Sequence, residues 1–281
     1  MRTVTALAML AMVLVAGCGP EDKVAKDDSS PEPQPHAQAI RKVDLATLTW
    51  HDTPRDTDIT LTGGEPVGDV MDGGQYTLGD LAPAYADVDQ DGFDDAVASL
   101  KRVEGNGLDE LWYVWLWDPD AEAPRQILDP VAQQERCATV VSSVKAVDDA
   151  FQFTEKYRDL ADIGTCASEP PNKVTRTISI VDDSPVQSEG HGAYGGICPQ
   201  PPAGDANSAL IEDTELHVAP HTDSARVEGD DLYWVAGLPT GSSPWLERDG
   251  WVLVGFGPNI DTPTFDEYGP YIPCAWAERP S

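Results

Sequence analysis

The chain has 281 residues, and its 49 Asp and Glu against 18 Lys and Arg give a formal net charge of −31 at pH 7. Such a surface repels phosphate backbones and attracts cations, so nucleic acid is excluded as a partner. Setting aside an apolar leader and a polar stretch at the start leaves roughly 240 residues, enough for one large β domain or two smaller ones with a real core.

The first residues follow a fixed order: a charge at Arg2, an apolar run from Val4 to Ala16, then Val15-Ala16-Gly17-Cys18. The run is shorter than the ~20 residues of a membrane-spanning helix, and its order predicts a signal peptide over 1–17 that is removed on export. Small residues before the cut let the chain lie extended in a peptidase groove, and the Cys18 thiol can carry diacylglycerol. The VAGC stretch resembles the lipobox of bacterial lipoproteins. That resemblance implies lipidation (palmitate and related acyl chains) at Cys18 and attachment to a membrane on the extracytoplasmic side of the cell envelope. From 18 to 40 the chain is Pro, Asp, Glu, Lys, Ser and Gln with almost nothing apolar. It cannot offset its ordering entropy by burial, so a disordered tether is expected there.

Beyond the tether, helical periodicity is scarce and short β-rich segments bounded by Gly, Pro and Asp recur. The expected fold is mainly β, with sandwich- or propeller-blade-like antiparallel sheets and long loops. Strands are expected at 43–50, 59–62, 96–103, 111–117, 139–147, 150–157, 174–181, 232–236 and 251–255. Leu111-Trp112-Tyr113-Val114-Trp115-Leu116-Trp117 is apolar at both alternating sets of positions, so it is read as a central strand covered on both faces. Asp148-Asp149 reads as a hairpin turn. Residues 41–183 are thus expected to form a β domain and 184–206, rich in Gly, Pro, Ser and Gln, a loop or linker. Residues 207–281 form either a small second β domain or the end of the first.

Between two of these strands lies Asp87-Val88-Asp89-Gln90-Asp91-Gly92-Phe93-Asp94-Asp95, which fits DxDxDGxxD. Carboxylates at Asp87, Asp89 and Asp91 converge if the chain curls, and Gly92 permits the left-handed backbone that curls it. The Phe93 carbonyl would add a neutral oxygen and Asp95 would close the site. Such hard oxygen donors suit calcium, which takes six to eight of them. An acidic surface turn without metal is the alternative in so acidic a chain.

The segment resembles the loops of FG-GAP and VCBS-type repeats. The resemblance implies calcium and a following strand, for which Ala96-Val97-Ala98-Ser99-Leu100 is available. An EF-hand fits less well, since Ala98 stands at the twelfth position where a bidentate Glu belongs. Asp94 would bind through water or face solvent. The expected role of the ion is structural, holding the strand from Ala96 in register.

Four cysteines remain besides Cys18: Cys137, Cys166, Cys198 and Cys274. An even number without CxxC spacing in an exported chain argues for two disulfides. Of the three pairings we favour Cys137 with Cys166 and Cys198 with Cys274, since the first pair brackets a hairpin-like unit. No HExxH, GxSxG or phosphate-cradling loop occurs, so no catalytic residue is singled out. His217 and His221 are four apart, but Pro220 argues against a helix between them, and they are read as exposed loop histidines. The sequence therefore reads as a secreted, lipid-anchored, calcium-binding surface protein with a binding or envelope-maintenance role toward an envelope protein or glycan. The alternative is a polysaccharide-directed hydrolase whose tryptophans line a groove.

Overall fold

Two long neighbouring strands, apolar at nearly every central position, organise the fold, because each must be covered on both faces. The computed structural model describes residues 37–69, 71–158, 168–188, 194–198, 215–227, 232–237, 247–258 and 273–279. Two 3-10 turns, Ala39–Lys42 and Leu45–Thr47, come first, followed by a ribbon of β1 (Thr49–Asp52) and β2 (Thr57–Thr60). Among the described residues a seven-stranded antiparallel sheet follows. It contains β3 (Val67–Asp69), β4 (Gly74–Leu78), β5 (Ala84–Ala86), β6 (Asp95–Glu104), β7 (Gly107–Asp118), β8 (Ala123–Gln126) and β9 (Ala132–Glu135). Its spatial order is β3-β4-β6-β7-β8, with β5 also on β6 and β9 also on β7.

The next four strands form a meander of adjacent hairpins: β10 (Thr139–Val147), β11 (Ala150–Tyr157), β12 (Asn172–Val181) and β13 (Ser184–Gln187). The first hairpin turns at Asp148, in the left-handed region at φ 52°, where the Asp148-Asp149 pair was expected to turn. A last sheet contains β14 (Leu216–His217), β15 (Leu232–Gly237), β16 (Glu247–Arg248), β17 (Trp251–Pro258) and β18 (Cys274–Glu278), ordered β14-β18-β17-β15 with β16 also on β17.

Side chains alternate across β6 and β7, so each strand feeds two cores. One set, Val97, Trp112, Val114 and Leu116, packs against Val141, Phe151, Phe153, Ile178 and Ile180 of the four-stranded sheet. Those two sheets are thereby stacked face to face. The other set, Ala96, Ala98, Leu100, Leu111, Tyr113 and Trp115, is covered by Ile40, Leu45, Trp50 and Leu61 from the N-terminal segment. Trp50 meets Trp115 edge to face at 5.0 Å between centroids, and its indole N–H donates to the Leu45 carbonyl at 3.0 Å. Each such fully buried large side chain contributes about 1.5 to 3 kcal/mol. The mainly β, antiparallel architecture and the central, doubly covered β7 are as the sequence predicts.

Three local expectations change. Residues 43–48 do not extend a strand, because the Asp44 carboxylate accepts the Ala46 N–H at 3.1 Å and caps a 3-10 turn, a local bond that wins over β propensity. Residues 184–187 are strand β13 rather than loop, since Pro185 and Val186 are matched to Ile180 and Ser179 on β12. Residues 194–198 form a strap bonded to β18, to β13 and to the loop between β8 and β9. Tyr194 N–H donates to the Cys274 carbonyl, Gly195 N–H to Pro185 and Ile197 N–H to Pro130. The strap ends in the expected Cys198–Cys274 disulfide. Cys137 is disulfide-bonded as well, and its expected partner Cys166 lies outside the described residues, as does Cys18.

Candidate metal centre

Strands β5 and β6 are antiparallel neighbours, Ala86 standing opposite Asp95, so residues 87–94 are the loop of a hairpin. Its curl comes from its own carboxylates. Asp89 Oδ1 accepts the Asp91 N–H at 3.2 Å, Asp91 Oδ1 the Phe93 N–H at 2.9 Å, and Asp87 Oδ2 the Gly92 N–H at 3.0 Å. Such side-chain turns are what Asp does best near its own backbone. Two residues take the left-handed backbone the curl needs, Gln90 at φ 63° and Gly92 at φ 93°.

The result brings Asp87, Asp89 and Asp95 together, with one carboxylate oxygen from each lying within 4.8 Å of the others. Asp95 is fully buried and is the fixed wall of the group. Its Oδ2 accepts the Val88 N–H at 2.9 Å and its Oδ1 the Trp117 N–H at 3.0 Å, which ties the loop to the end of β7. Asp87 Oδ1 is a buried oxygen without a hydrogen-bond partner. Burial pushes the Asp95 carboxyl up to about 7, against the pull of its two backbone donors and with help from the charges of Asp89 and Asp91. Asp87 and Asp89 are also held above the usual carboxylate range, first by burial and then by neighbouring carboxylates.

Two like charges 4.8 Å apart repel by about 3 kcal/mol at an effective dielectric of ~20, and by less where water reaches them, as at Asp89. A cation among the three removes that repulsion and gives Asp87 Oδ1 a partner. Oxygen-only donors and an orphaned buried oxygen fit a hard divalent cation such as calcium. Asp91 is outside the three-residue group, and its Oδ1 is engaged by Phe93. Phe93 follows Gly92 on the same turn, with its N–H held by Asp91.

The loop is fastened to three other segments that no local sequence signal reveals. Asp94 neither joins the group nor faces water freely: its carboxylate accepts from Arg41 Nε at 2.5 Å and its N–H donates to the Ala37 carbonyl at 2.6 Å. Gln90 donates to Asp149 Oδ2 at 2.6 Å in the β10–β11 turn, and the Val88 carbonyl accepts the Ile180 N–H of β12 at 3.0 Å.

Elsewhere, the histidine reading needs correction. His217 is buried in β14, where its ring meets Trp251 edge to face at 5.1 Å and its Nδ1 lies 3.3 Å from Ser224 Oγ. Pro220 lies in a bend after β14, where the Val218 N–H donates to the Ala225 carbonyl as the chain turns back, and His221 is a partly exposed loop residue as expected. Trp50, Trp112, Trp115, Trp251 and Trp276 are all buried in the cores. Comparison with family models, with curated proteins and with solved structures finds no match to this chain.

Proposed function

We propose that the chain is a lipid-anchored protein of the bacterial cell envelope, exposed on the extracytoplasmic side, whose β fold binds one calcium ion as a structural staple. Its role is binding or envelope maintenance, toward an envelope protein or glycan. The observation that carries the reading is the convergence of Asp87, Asp89 and Asp95 on one point, with Asp87 Oδ1 buried and unpartnered. When bound, the ion supplies charge neutralisation and additional oxygen ligation rather than reactivity. Asp87, Asp89 and Asp95 would hold it, and the loop would then deliver β6 into the sheet in register. Calcium is favoured over magnesium because the donors are curled protein oxygens around one point, whereas magnesium keeps most of its waters. The disulfide supports an oxidising compartment. The lipobox-like stretch at Val15 to Cys18 supports the anchor. The hydrolase alternative draws no support from the six tryptophans whose burial is described: five are buried core residues, and Trp117 is half-buried against the same core.

The staple is tested by melting the protein with calcium and with chelator, in wild type and in Asp89→Ala. Calcium at a hundred times its dissociation constant is expected to stabilise the wild type by about 2.7 kcal/mol and the variant far less. Equal melting in all four samples refutes it. The anchor is tested by Cys18→Ser with labelled palmitate, where label retained in the variant refutes lipidation at that residue.

A further inference from the structure

Asp94 sits among the loop carboxylates yet spends both its side chain and its N–H on the start of the folded part, at Arg41 and Ala37. The same Arg41 guanidinium lies over the Tyr85 ring, 4.8 Å from its centroid, on the strand leading into the loop. Between these contacts Ile40 is fully buried on the face of the seven-stranded sheet away from the sandwich interior. Residues 37–42 are thus held by one buried side chain and three contacts, two from Arg41 and one from Ala37, and those three end on residues 85 and 94 of the hairpin that carries the acids. A four-residue 3-10 turn has little stability of its own, so its docking depends on the hairpin keeping its shape.

The geometry points to a calcium-dependent latch, in which an ion held by Asp87, Asp89 and Asp95 keeps residues 37–42 docked and shields the Arg41-Lys42-Val43 peptide bonds from a trypsin-like protease. The latch rests on the cation-binding reading above. Without the ion the carboxylates repel, the loop loosens, and Asp94 no longer presents its carboxylate and N–H together. With it, the four carboxylates of Asp87, Asp89, Asp91 and Asp95 still outweigh two positive charges, so Arg41 is not driven off. Hydrolysis after Lys42 would add one water, leave a carboxylate on Lys42 and an amine on Val43, and free the β fold from everything upstream. Calcium supply would then decide whether the folded part is retained or shed.

The test is a timed trypsin digest of the full chain in detergent, with calcium or chelator. Cleavage after Lys42 is followed by mass and normalised to cleavage after Lys23 and Lys26 in the same digest, which cancels the response of trypsin itself to calcium. If opening requires release of the ion, calcium at ten times its calorimetric dissociation constant slows cleavage after Lys42 about tenfold. Arg41→Ala is expected to be cut quickly with or without calcium while binding calcium as the wild type does. Asp89→Ala is expected to be cut quickly and to bind little. Wild-type calcium binding with equal cleavage in both conditions overturns the latch and leaves the staple standing, as does Arg41→Ala that remains protected. Absence of calcium binding by the wild type overturns both.

Discussion

Replacing Cys198 and Cys274 together by Ala removes the covalent link between the strap and β18, and its cost can be worked from the chain. The bridge closes a loop with a sequence separation of 76. In the chain-entropy account a loop of that size stabilises the folded state by about 4.5 kcal/mol at 25 °C, a large part of the 5 to 15 kcal/mol that holds a typical domain together. A second bridge at Cys137 does not reduce this figure if its partner is Cys166, because the two loops then follow one another without overlapping.

The rest of the strap's hold is the same with and without the bridge: Tyr194 is buried, the strap's backbone bonds reach Cys274, Pro185 and Pro130, and Arg176 donates to the Gly195 carbonyl at 3.4 Å, while Cys274 is itself fully buried beside Trp276. The assay is urea unfolding followed by tryptophan fluorescence at fixed calcium, since Trp251 and Trp276 lie in the cluster the bridge closes. A loss of about 4 kcal/mol is expected, with a larger denaturant slope because the unlinked unfolded chain exposes more surface. A loss under ~1 kcal/mol with an unchanged slope refutes the reasoning, because it means the bridge constrains nothing in the unfolded state.

Other positions give independent tests. Burial holds the Glu110 carboxyl above its ordinary value of 4.5, although the Ser99 hydroxyl donates to it at 2.7 Å. A carboxyl raised by folding stabilises most below its unfolded pKa, and that contribution is lost as pH rises through the folded one. Calcium-saturated wild type should therefore lose stability upward from 4.5, and Glu110→Gln should flatten the fall in pH-dependent melting. Gly79 packs over the same pair. A Cβ there would lie 1.9 Å from Ser99 Oγ and 2.1 Å from Glu110 Oε1, so Gly79→Ala should cost about 1 to 3 kcal/mol in urea unfolding. Phe153→Ala, in the core between the two stacked sheets, should cost about 3 to 5 kcal/mol and leave calcium affinity by calorimetry unchanged.

What the sequence makes legible here is what short-range physics decides. The doubly apolar run at 111–117 can only be a strand covered on both sides, and β7 is one. The alternating carboxylates around Gly92 bend their own backbone, and the Asp89 and Asp91 side-chain turns do so within two residues. Long-range partners leave no such trace. Arg41 reaches Asp94 across 53 residues and Arg248 reaches the buried Asp129 across 119, and neither pair is marked by any spacing. The first strand starts at Thr49 rather than Val43 because a single Asp44 bond diverts the chain, and β3 and β4 show no clear strand pattern because glycines dilute it.

The candidate site divides along the same line. Spacing alone places Asp87, Asp89, Asp91 and Asp95 on an equal footing, since each stands two or four residues from the next. The sheet separates them. Asp95 opens β6, sinks beneath the surface and is gripped by the Trp117 N–H from the next strand, so its carboxylate is the immobile one toward which Asp87 and Asp89 converge. Asp91 has no such anchor and turns back onto Phe93. The motif makes the curl, and the β6–β7 pairing decides which of its acids meet. Cation affinity should therefore respond to packing at the β7 end near Trp117 as well as to the acids themselves.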